Sequence, residues 1–200
     1  MDLIKILEPY NQVDADGITS VLRIPNTVRD TVVKYVARNS CYYLKSYQSQ
    51  RERTAIETLK DLKISCIEAF TESNYLETCV KGPLLLQADI SARKTGELLA
   101  FAFNEMHQKM MAYGDTIDNH FYITTEGIKV VDFGSVTRTS NDTIKLDLLE
   151  VFEFIGKKYD SEKARLEAMR AFQKNYFDKG YFSTAVEHHK KYDNGFFKYL

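Results

Sequence analysis

The segment Tyr113-Gly114-Asp115-Thr116-Ile117-Asp118-Asn119-His120 runs into a short apolar stretch and a glycine-bearing turn, and the chain then reaches Val131-Asp132-Phe133-Gly134. This order places two carboxylates, Asp115 and Asp132, on loops at opposite ends of a tight β-hairpin, with the metal-ligand types Asn119 and His120 between them. Phosphoryl transfer needs such an arrangement. One carboxylate accepts the proton of the attacking hydroxyl, and the other fixes a metal that neutralises charge on the phosphate oxygens. Asp-Phe-Gly and Gly-Asp are each common by chance, so the signal lies in their combination. The alternative is a surface hairpin with ordinary Asp-capped turns.

A second pair consists of Lys45, in Tyr42-Tyr43-Leu44-Lys45-Ser46-Tyr47, and a glutamate on the segment that follows. A strand lysine can hold nucleotide phosphates if a helix carboxylate fixes its direction. At about 100° per residue Glu52 shares the side of Ile56 and Leu59 while Glu57 points away, which selects Glu52. An exposed lysine and a solvated glutamate are the competing explanation.

Elements able to position these groups are legible around them. Residues 20–24, 31–37 and 41–47 are rich in Val, Ile, Tyr and Leu, with turn-prone Pro25-Asn26 and Arg38-Asn39-Ser40 between them, and predict a three-stranded antiparallel meander. Ala55, Ile56, Leu59 and Leu62 recur at helical spacing and predict one amphipathic helix over 50–63. Two further strands are expected at 64–70 and 75–80 around Thr71-Glu72-Ser73-Asn74. Beyond Lys81-Gly82-Pro83, Leu98, Leu99, Ala102, Phe103, Met106 and Met110 predict a long helix ending near Ala112. Strands at 120–123 and 128–131 should flank Thr124-Thr125-Glu126-Gly127. From Thr143 the chain should be mostly helical, with Leu146, Leu149, Phe152 and Ile155 on one stripe. The expected fold class is α+β: a small antiparallel β lobe with one helix over residues 1–80, a connection near 78–83, and a mostly helical lobe over 84–200, forming a single domain.

The composition narrows the function classes. The chain has 200 residues, 44% hydrophobic, with a net charge of −1 from 27 basic and 28 acidic side chains, so no global field draws it to nucleic acid. No run of apolar residues is long enough to cross a bilayer and no signal-peptide pattern opens the chain, which predicts a cytoplasmic protein with at most peripheral membrane contact. Cys41, Cys66 and Cys79 are widely spaced and odd in number, and are expected to be reduced thiols. His107 beside Met106 is expected to pack or cap its helix. His188-His189 and the Tyr and Phe cluster over 176–199 are expected to form a solvated helix face and a packing surface.

The order of elements resembles the protein-kinase-like fold, and the pattern is most similar to the small bacterial lipopolysaccharide core heptose kinase family. Three stretches carry the resemblance: Val21-Leu22-Arg23 through Lys45 to Glu52-Arg53; Leu76 to Gly82; and Glu97 through Met106-His107 to Gly114-Asp115 and Asp132. It covers roughly residues 20–140 at family level. The resemblance implies that Asp115 is the catalytic base and Asp132 a metal ligand, with His120 or Asn119 as its companion. Lys45 and Glu52 would form the phosphate clamp, and the backbone of Thr78, Cys79 and Val80 would hold adenine. Asp147 would buttress the catalytic loop. The implied cofactors are ATP and Mg or Mn, and the implied acceptor is a sugar or glycolipid, at the inner face of the bacterial inner membrane.

The chain departs from that pattern in three places. Pro25 to Asp30, where a nucleotide-covering turn is expected, holds no glycine. His120 stands where the family places a metal-binding Asn, and imidazole suits manganese better than magnesium. Phe133-Gly134 restores protein-kinase wording after Asp132. With Gly114 before the base and little chain between Asp132 and the next helix, a small-molecule acceptor is favoured over a peptide. An effector-type kinase with a protein acceptor and a pseudokinase interaction module remain the competing functions.

Overall fold

The computed structural model describes residues 18–23, 32–37 and 41–190, and the glycine-free turn at Pro25–Asp30 lies outside them. The chain divides into two compact units, Met1–Asp61 with Cys66–Val80, and Leu62–Ser65 with Lys81–Leu200.

The first unit is an antiparallel sheet of β1 (Ile18–Arg23), β2 (Val32–Ala37), β3 (Cys41–Ser46), β4 (Ile67–Phe70) and β5 (Asn74–Thr78), in the order β1-β2-β3-β5-β4. Helix α1 (Gln50–Leu59) buries Glu52, Ala55, Ile56 and Leu59, one stripe at helical spacing. Ser49 caps it by accepting from Glu52 N–H at 3.1 Å, and the Glu52 carboxylate reaches back to Gln48 N–H at 2.7 Å. The helix stops at Leu59 and not at Lys63; past it, within the second unit, the Ile64 carbonyl accepts from Val130 N–H at 2.8 Å.

The cysteine expectation is corrected. In the β3–β5 register Tyr42 faces Thr78, which sets Cys41 directly opposite Cys79 with Cα atoms 5.1 Å apart, and the two form a disulfide; Cys66 stays a buried free thiol. The partners lie 38 residues apart, so the pairing is invisible without the strand register. Replacing both by Ser is expected to cost about 2–4 kcal/mol of stability. Thiol counting under denaturing conditions should find one reactive cysteine without reductant and three with it.

In the second unit α2 (Ala92–His107) packs against α4 (Glu162–Asn175), and at Gly96 a Cβ would sit 2.1 Å from the Ala168 carbonyl oxygen, so only glycine permits this approach. The helix ends at His107, five residues before the expected end. Met110 adopts φ of 59°, and Met111–Ala112 form strand β6, paired with β9 (Thr137–Arg138). Strands β7 (Phe121–Thr124) and β8 (Gly127–Val130) make the expected hairpin. Helices α3 (Asn141–Lys158) and α5 (Lys179–Lys190) complete the unit. The expected stripe on α3 holds in part: Phe152 and Ile155 are buried, but Leu146 is 62% exposed, and Ile144, Asp147, Leu148 and Val151 are buried as well. Asp147 turns inward because the loop before Asp115 offers it backbone donors.

Candidate active site

The loop that carries Asp115 is built from the second unit alone. Asp147, 2% exposed, accepts from Tyr113 N–H at 2.7 Å through Oδ2 and from Gly114 N–H at 2.8 Å through Oδ1. His107 Nε2 lies 2.9 Å from the same Oδ2, and His107 Nδ1 lies 2.7 Å from the Tyr176 hydroxyl. A carboxylate only accepts, so Nε2–H donates to Asp147, and the arrangement that uses each partner once has the Tyr176 O–H donating to Nδ1. Burial pushes the Tyr176 phenol well above its ordinary range, which keeps that proton in place. His107 therefore does more than pack: with Tyr176 and Asp147 it forms a buried chain ending on the backbone one residue before Asp115.

Gly114 has φ of 71°, and a Cβ there would lie 2.9 Å from the Ser135 carbonyl oxygen, so the loop turns sharply against the segment after Asp132. Asp115 emerges half-buried, with Oδ1 accepting from Thr116 N–H at 2.7 Å and Oδ2 from the Ser135 hydroxyl at 3.0 Å. The Tyr113 ring, fully buried, stacks edge-on against Phe121 and Phe133, and its hydroxyl donates to the Val131 carbonyl at 3.1 Å. One aromatic residue thus joins the Asp115 loop to the strand that delivers Asp132. Beyond Asp115, Ile117 N–H donates to Glu150 at 3.2 Å, and burial raises the Glu150 carboxyl above its usual range against the opposing pull of that bond.

Asp132 sits in the left-handed region, φ 57° and ψ 77°, and caps the 3-10 turn Phe133–Ser135. A non-glycine residue held there is uncommon and marks a constrained loop. His120 Nδ1 is 3.1 Å from the Thr116 carbonyl, so Nδ1 donates and Nε2 is the nitrogen left to accept or ligate, while Asn119 is exposed. Among the described residues no group of three or more His, Cys, Asp or Glu side chains forms a metal cage.

In the first unit Lys45 is 9% exposed and ion-paired with Glu77 at 2.5 Å, not with Glu52. The register explains the correction. Lys45 faces Tyr75 and Tyr43 faces Glu77, so Lys45 and Glu77 are diagonal neighbours on one face of the sheet, within reach of long side chains. Glu52, 1% exposed, caps its own helix and accepts from the Tyr75 hydroxyl at 3.2 Å, and the Lys45 ammonium lies 5.9 Å from the Tyr75 ring centre. Glu57 pairs with Arg53 nearer the surface. Thr78 and Cys79 leave the sheet at its end, Thr78 N–H on the Cys66 carbonyl and Cys79 N–H on that of Cys41. Sequence reasoning missed Glu77, Ser135 and Tyr176. For Glu77 the one available signal was its odd spacing with Tyr75 on a strand otherwise apolar on that face.

No protein-family model matches the chain, and no curated protein sequence matches it. Solved structures do. The chain is similar to spectinomycin phosphotransferase APH(9)-Ia, a structure in complex with ADP and spectinomycin, at TM-score 0.54 and 10% identity, covering 94% of this chain and 83% of that one. It is also similar to an ethanolamine kinase from Plasmodium vivax, at TM-score 0.57 and 10% identity, covering 92% of this chain and 75% of that one. The fold is therefore protein-kinase-like, as the order of elements led one to expect.

Proposed function

We propose that the protein is an ATP-dependent phosphotransferase that moves the γ-phosphate onto a hydroxyl of a small molecule. The observation that carries this reading is the Asp115 carboxylate, held at both oxygens on a loop anchored by Asp147. A kinase does little covalent chemistry of its own and works mainly by positioning and charge stabilisation, which is what such anchoring supplies. Asp115 would accept the acceptor's proton. Asp132, with His120 Nε2 or Asn119, would hold Mg or Mn, which supplies neutralisation of phosphate charge when bound. Lys45 would hold nucleotide phosphates, Glu52 and Glu77 would orient it, and the Thr78, Cys79 and Val80 backbone would receive adenine.

For the acceptor, the resemblance to heptose kinases favours a lipopolysaccharide core sugar, whereas the two similar structures act on an aminocyclitol and an amino alcohol by their names. Incubation with γ-labelled ATP and a panel of core oligosaccharide, aminocyclitols and ethanolamine is expected to label the oligosaccharide. Label on an amino alcohol alone would keep the kinase and discard the heptose. Label on a protein from a eukaryotic lysate, with none on the panel, would select the effector-type kinase.

A second reading, a non-catalytic interaction module, is favoured by one observation, the Lys45–Glu77 pair in place of Lys45–Glu52. The described helices include none long and apolar enough to cross a membrane.

A further inference from the structure

We propose that Ser135 is a positioning residue for the Asp115 carboxylate, a role that rests on reading Asp115 as the base. After Gly114 turns in the left-handed region, the Asp115 side chain is steadied within its own segment by Thr116 N–H on Oδ1, and the Ser135 hydroxyl supplies the bond to Oδ2 at 3.0 Å. An ionised carboxylate offers about four lone-pair sites. Two are occupied here, which fixes the rotamer and leaves room for an acceptor proton.

Ser135 is itself well fixed. It ends the 3-10 turn that Asp132 caps, and two residues later the chain enters β9, whose Thr137 and Arg138 pair with Ala112 and Met111 just before the catalytic loop. The Ser135 carbonyl lies so close to Gly114 that no Cβ fits between them. Ser135 therefore bears on the loop through backbone and hydroxyl together. It also sits three residues after Asp132, so the turn that would meet the metal also steadies the base. A base displaced by a fraction of an ångström loses much of its advantage, because proton acceptance requires hydrogen-bond reach and alignment.

The test compares wild type with Ser135→Ala, Ser135→Thr and Asp115→Asn in two measurements. ADP release from MgATP with water as acceptor should fall about 10-fold in kcat for Ser135→Ala, with the KM for ATP unchanged, and recover in Ser135→Thr. Amide exchange at Thr116, followed by NMR, should speed up severalfold in Ser135→Ala while the amides of α2 and α4 keep their rates. The proposal is overturned by unchanged Thr116 exchange, by unchanged kcat in a turning-over enzyme, or by a fall that Thr does not rescue. A phosphate found on Ser135 by mass spectrometry would also overturn it, making that hydroxyl an acceptor. Absence of ADP release in wild type with the exchange effect intact would count against the kinase reading and leave the positioning contact standing.

Discussion

Asp115→Asn is expected to lower phosphoryl transfer from MgATP by about 10²- to 10⁴-fold, the range a positioned general base contributes. The substitution keeps the size of the side chain and an oxygen able to accept from Thr116 N–H or Ser135, so the loop should retain its shape. Nucleotide binding should survive, because the residues proposed to hold ATP lie elsewhere in the chain. Initial rates together with ATP-dependent stabilisation check both halves. A parallel loss of turnover and nucleotide binding would mean that Asp115 holds the loop together without acting as base.

Asp147→Ala should have the largest effect on stability. Its carboxylate is 2% exposed and serves two backbone N–H groups and the His107 imidazole, all of which would lose their acceptor inside the protein. Leaving buried polar partners unpaired costs about 3–5 kcal/mol, which for a chain of this length lowers Tm by roughly 6–20 °C. Thermal unfolding checks it directly. Turnover should fall as well, since Gly114 is tied to Asp147 and Asp115 is the next residue. A Tm within about 2 °C of wild type would show that water or a neighbour replaces the carboxylate, and the anchoring argument would fail.

The parts of this architecture that sequence revealed are those written in local periodicity. Alternating Val, Tyr and Leu placed the strands within one to three residues of their ends, and the spacing of Ala55, Ile56 and Leu59 set the inward face of α1, Glu52 included. The Gly114-Asp115 and Asp132-Phe133-Gly134 loops flank the β7–β8 hairpin in sequence as expected, but because Phe121 pairs with Val130 both lie at its open end and not at opposite ends. What stayed hidden depends on register between segments distant in sequence. Cys41 meets Cys79, Lys45 meets Glu77 and Asp147 meets Tyr113 and Gly114 only after strands pair or helices pack. The exposed Leu146 has the same origin. Apolarity alone put it on the core stripe of α3, but Ile144, Leu148 and Val151 are buried there with Asp147, whose carboxylate accepts from the Tyr113 and Gly114 N–H groups.

The left-handed Asp132 and the two-residue strand β6 had no periodic signal to announce them. The two-residue ladder is set by its partner strand β9, and so by a contact that propensity does not encode. Both border the candidate site, Asp132 directly and β6 through the Asp115 loop that follows it.

The most direct test of the central claim is an ATP titration followed by thermal unfolding, with magnesium and separately with manganese, on wild type and Asp132→Ala. A metal-dependent rise in Tm with ATP is expected, growing with ligand concentration by mass action and lost in Asp132→Ala. No rise with either metal, or an equal rise in the variant, would contradict a nucleotide site built on Asp132.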